Sequence, residues 1–493
     1  MAARVDAVDV VVVGGGHNAL VAAGYLARAG LRVRLLERLD QVGGAAVSAH
    51  LFEGVEARLS RFSYLVSLLP ARIVEELGAP VRLARRRYSS YTPDPGRAGL
   101  LIGDAPADLR AFHRRCRLVT ERLWPTLLEP LPTRTAARRL VGDDAAWHAM
   151  VVEPIGLAIA DALESDLVRG LVATDALIGT FARLDDLSLR QNVCFLYHLL
   201  GGGTGDWLVP IGGMGAVTTA LASAASGYGA EIITGAAVYA VNPDGEVRYR
   251  HGDDECVVRG RFVLAGVTPT VLAGLLGEGQ PPAAPGAQVK VNMLVRRLPR
   301  LRDESVTPEQ AFNGTMHVNE TWTQLDSAYA QAAAGRVPDP LPCEVYCHSL
   351  TDPSILSPAL RESGAQALTV FGLHTPHGLR GDFTEAVLNS LNSVLGEPIQ
   401  EQLLADANGR PCLETVTTAD LEDTLAMTGG NIFHGGLAWP FADDDDPLDT
   451  PARRWGVATA HERILLCGSG ARRGGAVSGI GGHNAAMAVL ASA

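Results

Sequence analysis

Lysine is all but missing from this 493-residue chain: Lys290 stands alone among 42 basic residues, and the rest are arginine. A bias this one-sided fits a GC-rich coding sequence better than a function, and it makes the single ammonium group conspicuous. Acidic residues outnumber basic ones, for a net charge of −12, and aromatics are only 5% of the chain. No basic stripe interleaves with aromatic residues, so nucleic acid is excluded as a partner. Cysteine is scarce too. The seven thiols include no Cys-x-x-Cys, which excludes a disulfide scaffold and a dithiol redox centre and fits the reduced thiols of a cytoplasmic protein. Cys343 and Cys347 have no histidine or second cysteine pair at zinc spacing, and the run Asp443 to Asp446 before Pro447 reads as a solvated loop, so no metal is expected. No apolar run reaches the roughly 18 residues of a spanning helix. The start, MAARVDAVDVVVVGGG, leads directly into a strand rather than a cleavable signal. The expectation is a cytoplasmic protein without a transmembrane segment, for which peripheral membrane contact stays open and nothing sets an oligomeric state.

What is present is a large apolar fraction, 47%, in a chain long enough for a sizeable core, and a glycine-rich beginning. The β-branched run Asp9 to Val13 reads as a strand buried on both faces. It ends in Gly14-Gly15-Gly16, after which Asn18 to Arg28 reads as a small-residue helix closed by Gly30, and Leu31 to Glu37 as a second strand. The turn has the form G-x-G-x-x-A. Gly14 permits the tight turn, Gly16 lets backbone approach a pyrophosphate, and Ala19 permits close helix packing, with Asn18 beside them at the helix start. A helix N-terminus attracts a diphosphate, and Glu37 at the strand end can accept hydrogen bonds from a ribose diol. These residues define a dinucleotide site without separating NAD from FAD. The continuation from Arg38 to Gly43-Gly44-Ala45 is a small-residue loop able to pass close to the middle of an elongated cofactor, and this E-x5-GG extension favours FAD.

The block DVVVVGGGHNALVAAGYLARAG…LLERLDQVGGAAVS, followed by ARLSRFSYLVSLLP, resembles the flavoprotein superfamily of phytoene desaturases and amine oxidases. Within it, the closer likeness is to the phytoene-desaturase-like branch of pyridine nucleotide-disulphide oxidoreductase domain proteins, which the later GGNIFHG stretch, Gly429 to Gly435, supports. The resemblance implies an adenine contact at Val238, and ribityl, pyrophosphate and flavin-ring contacts at Gly468, Gly475, Ala476 and Val477. It also implies that a second helix N-terminus, in the segment before His483, faces the cofactor. Where the family has His-Pro, this chain has Arg472-Arg473.

The implied fold is α/β: a Rossmann-like FAD-binding domain built from discontinuous segments (1–100, 205–285 and 430–493) with an inserted α+β substrate domain (101–204 and 286–429). Helical periodicity covers Phe112 to Leu128 and Leu157 to Phe181, Gln288 to Val295 alternates as a strand, and Gly201 to Gly205 reads as a hinge or linker. The implied activity is that of an FAD-dependent oxidoreductase, with FAD held non-covalently. It would remove a hydride from a small or medium, partly apolar organic substrate and pass electrons to oxygen or another acceptor. A redox-neutral isomerase and a carotenoid desaturase are the alternatives. Lys290 matches the strand on which flavin amine oxidases carry a lysine against the flavin, although a lysine beside Arg296 and Arg297 is equally a surface residue of an edge strand. Among the histidines, His434 gains from the GGNIFHG motif as a proton carrier.

Overall fold

In the computed structural model, which describes residues 6–94, 96–103, 105–282 and 284–492, the first strand is Asp6–Val13. Its last four valines are essentially without solvent contact. A run that is β-branched and apolar on both faces is stable only inside a sheet. It lies parallel to Val33–Leu36 on one side and to Asp254–Ala265 on the other. Glu231–Ile233 extends the sheet beyond Val33–Leu36, and Ile464–Leu466 joins Asp254–Ala265. Ala236–Val241 and Glu246–His251 form an antiparallel meander at the other edge. One sheet thus gathers strands from three separated stretches of chain.

Helix His17–Arg28 covers this sheet, packed between Met214–Gly227 and Ile480–Leu490. Small residues set the spacing: a Cβ at Gly482 would stand 1.8 Å from the carbonyl oxygen of Asn18, so the last helix rests on the backbone of the first.

The second sheet runs Leu413–Val416, Gln288–Val295, Gln366–Leu373, Cys343–Cys347, Thr315–Val318, Ser90–Asp94 and Arg97–Ile102. The segment expected as 1–100 of the dinucleotide unit therefore crosses over before Ser90, where Tyr91 enters the core of the other sheet. Gln288–Val295 is an interior strand, paired on both sides and buried along its whole length. This removes the edge-strand reading of Lys290.

Helices Ala107–Leu123, Arg134–Val141, Ile155–Ala162, Asp166–Ala173 and Arg190–Leu200 form the expected insert. Gly201 to Gly205 is no loose linker. A Cβ at Gly201 would stand 1.9 Å from Ser67 Oγ, so glycine serves close approach there. Among the described residues no helix is long and apolar enough to cross a membrane.

Candidate active site

A continuous cavity of about 740 Å³ runs from the glycine turn of the first sheet to the face of the second, within the range of small-molecule sites. At the first end, Gly14 takes φ +90°, and its amide donates to Leu36 O at 2.8 Å. Nothing lies within 4 Å of where a Gly16 Cβ would sit, so the backbone there is open to the cavity, while a Gly44 Cβ would stand 3.3 Å from Gly16 Cα. Gly43 donates to Gly15 O at 2.8 Å and locks the two loops together. The helix that starts at His17 has no side-chain cap at Gly16, which leaves its first amides free for an anion.

Glu37 is 8% exposed. One carboxylate oxygen accepts from the Gly15 amide at 2.6 Å and the other from Leu39 at 2.8 Å. Gly15, unassigned in the sequence reading, is what permits this, because a Cβ there would meet Glu37 Oε2 at 3.0 Å. Arg38, Ala45 and Val238 line the same end, and Arg38 also donates to Thr424 O at 2.8 Å.

The C-terminal loop closes the site. Asn18 donates Nδ2 to Gly474 O at 3.1 Å, and His17 donates Nε2–H to Ala476 O at 3.0 Å. Gly468, Ala476 and Val477 line the cavity with Gly14, Gly16, Asn18, Ala19, Glu37 and Gly44. Gly43 and Gly475 stand behind the lining; a Cβ on Gly475 would meet Leu437 Cδ2 at 2.6 Å. The last helix begins at Ile480, three residues after Val477, the last residue of this loop that lines the cavity. Arg473 also points away: 1% exposed, it donates to Thr126 O at 2.7 Å and Glu129 O at 2.9 Å, tying the loop to the helical insert.

At the other end, the register of the second sheet sets His317 opposite Glu344, Glu344 opposite Phe371, Phe371 opposite Lys290 and Lys290 opposite Val416. Directly opposed residues share a face, and all five line the cavity. Lys290 is 4% exposed and donates to Ser60 O at 2.5 Å and Arg61 O at 2.9 Å, with its ammonium 5.3 Å from the Tyr64 ring centre. Burial pulls its pKa down to about 7, against a smaller opposing pull from Glu414. His434 lines the cavity with Nδ1 unpartnered, at φ +63°. Burial, then repulsion from His17, lowers its pKa to about 4.

Sequence reasoning missed the group around Glu344. His317 Nδ1 lies 2.7 Å from Glu320 Oε2 and 3.9 Å from Glu344 Oε1, and Tyr346 donates its hydroxyl to Glu344. Burial, reinforced by Glu320, raises Glu344 to about 7, and burial alone raises Glu320 well above the carboxylate range. His317 is lowered to about 4 by burial, so its contact with Glu320 is a neutral hydrogen bond rather than an ion pair. Asp175 in the facing insert is raised to about 8, mainly by burial and then by Glu344 and Glu320. Only strand register joins residues so far apart in sequence, and no local motif announces them.

A family model described as an NAD(P)-binding Rossmann-like domain matches residues 12–72. An uncharacterized protein of Mycobacterium tuberculosis is 70% identical over 98% of this chain and 97% of its own length. The rat pyridine nucleotide-disulfide oxidoreductase domain-containing protein 2 is 29% identical over 98% of this chain and 93% of its own. The solved structure of cyclohexylamine oxidase from Brevibacterium oxydans shares the fold with a TM-score of 0.57 at 16% identity, over 98% of both chains. The matched domain and the shared fold define the class of proteins that carry a Rossmann-like dinucleotide-binding domain in the fold of cyclohexylamine oxidase. Within it, this chain belongs to the same family as the mycobacterial protein.

Proposed function

We propose that this protein holds FAD non-covalently and uses it to remove a hydride from a small or medium, partly apolar organic substrate, passing the electrons to oxygen or another acceptor. The observation that carries the reading is the continuity of the cavity: the glycine turn, Glu37 and Val238 open directly onto the row that contains Phe371 and Lys290. The residues fit the cofactor. The bare backbone at Gly16, the uncapped helix start and the buried Glu37 carboxylate provide surfaces for a diphosphate and a ribose.

Bound FAD would supply a hydride acceptor. The chain's own work is to orient the substrate, exclude water and dispose of one proton. Phe371, Tyr64 and Ile178 offer apolar surface to the substrate, and the helical insert shields them from water. Lys290 is placed to exchange the proton: near pH 7 its amine is divided between charged and neutral forms, and two carbonyls hold it in place in either form. His434, with an unpartnered nitrogen in the lining, is a second carrier on the side of the C-terminal loop.

The test begins with the purified protein. It should be yellow, and acid precipitation should release FAD into the supernatant; NAD(P) alone, or flavin retained in the pellet, contradicts the reading. Anaerobic bleaching of the flavin by candidate substrates then separates hydride removal from redox-neutral isomerisation, which changes geometry without net reduction.

A further inference from the structure

The substrate end of the cavity carries an excess of fixed positive charge. Arg86 lines it, half-buried, donating Nη1 to Thr315 Oγ1 at 2.8 Å and lying 5.7 Å from the Tyr346 ring centre. Among the described residues it forms no ion pair, and neither do the exposed Arg87 and Arg117 at the rim of the lining, whereas Arg85 is matched by Asp206 at 2.7 Å. Guanidinium groups stay charged at any working pH. The acids facing them are not paired with them: among the described residues neither Glu344 nor Asp175 forms an ion pair with an arginine, and Glu344 already accepts the Tyr346 hydroxyl. The local histidines, His113 and His317, are lowered by burial and contribute little charge. A guanidinium partly withdrawn from water and without a counter-ion gains from an anion that joins it.

The aromatic surface points the same way. Tyr64 and Tyr346 pack at 4.8 Å between ring centres, and the chain's own cations, Lys290 and Arg86, already sit over these rings. A substrate ammonium would find those cation–π positions taken and the unpaired Arg86 guanidinium beside them.

We propose that this end of the cavity binds an organic carboxylate, with Arg86 pairing to the carboxylate and the apolar body lying along Phe371 toward Lys290. The proposal rests on the flavoenzyme reading for what happens to the substrate, but not for its binding. A planar guanidinium matches a carboxylate through two parallel N–H···O bonds, and Thr315 fixes its orientation.

Three eight-carbon probes that differ only in the head group, octanoate, octylamine and 1-octanol, would be titrated calorimetrically into the purified holoprotein at pH 7.5, with FAD content measured separately by acid extraction. Octanoate should bind about tenfold or more tighter than either of the others. Arg86→Gln should remove that preference, and Arg86→Lys, which keeps charge but not the fork, should retain part of it. Equal or tighter binding of octylamine, binding of none of the three, or unchanged octanoate affinity in Arg86→Gln overturns the proposal. Should Arg86→Gln not fold, the wild-type ranking and Arg86→Lys decide. Absent FAD with intact octanoate selectivity would count against the flavin reading alone.

Discussion

The single lysine offers an unusually clean measurement. Burial lowers Lys290 from 10.5 to about 7, a shift equivalent to ~5 kcal/mol of preference for the neutral amine. A neutral amine has two N–H donors, and Ser60 O and Arg61 O accept two hydrogen bonds, so deprotonation leaves the geometry satisfied. In protein grown with 13C-lysine, the side-chain signals come from one residue, and their shift should titrate with a midpoint near 7. The linked stability has a definite sign. Between the folded value and 10.5 the unfolded chain binds one proton more than the native one. Wild type should therefore gain ~1.4 kcal/mol per pH unit over Lys290→Met across that window, and below pH 7 it should show its full disadvantage. Reoxidation of reduced flavin should slow by an order of magnitude or more in Lys290→Met, since one positioned charge is worth about 2.7–4 kcal/mol. In wild type it should slow as pH rises through 7, toward the rate of Lys290→Met. A titration midpoint above 10, or equal stopped-flow rates in both proteins at every pH, would refute the assignment.

Glu37→Ala removes two hydrogen bonds to a charged acceptor, each worth ~1.5–3 kcal/mol; FAD content after desalting should fall sharply, and undiminished content would show that Glu37 does not hold the nucleotide. Gly482→Ala drives a methyl against the Asn18 carbonyl and should cost at least ~1–3 kcal/mol in chemical denaturation, so unchanged stability would place the two helices farther apart. For Glu344→Gln the sign follows from a raised folded pKa: the native carboxyl contributes most below 4.5 and loses that contribution as pH rises through about 7. The melting temperature of Glu344→Gln relative to wild type should therefore climb over that interval, and a falling difference would mean that the carboxylate is paired.

The glycine-turn end was legible because its geometry is local. Gly14, Gly16, Ala19 and Glu37 lie within one strand-turn-helix-strand unit whose spacing the sequence displays, and all four line the cavity. The distant contributors, Val238 and Gly468 to Val477, could be named only through resemblance, and there the transfer was uneven: Ala476 and Val477 line the cavity, whereas Gly475 stands behind it and Arg473 braces the insert. At the substrate end, His317, Glu344, Phe371 and Lys290 stand on four strands whose order in the sheet differs from their order in the chain. Register across a sheet is set by turns and packing far from each residue, so the row was invisible before the strands were placed. Lys290 attracted notice through composition alone. Arg86 could not, being one arginine among 41.

The surface at the glycine turn is assembled from distant parts of the chain: the helix His17–Arg28 leaves the ribosome early, and the loop and helix that pack against it, from Ile464 to Leu490, leave more than four hundred residues later. During synthesis that helix meets Met214–Gly227 first, and the side that packs on Ile480–Leu490 stays uncovered until the later segment has followed. A ribosome that stalls before Ile464 therefore releases a product that has the glycine motif but lacks the loop that closes over it.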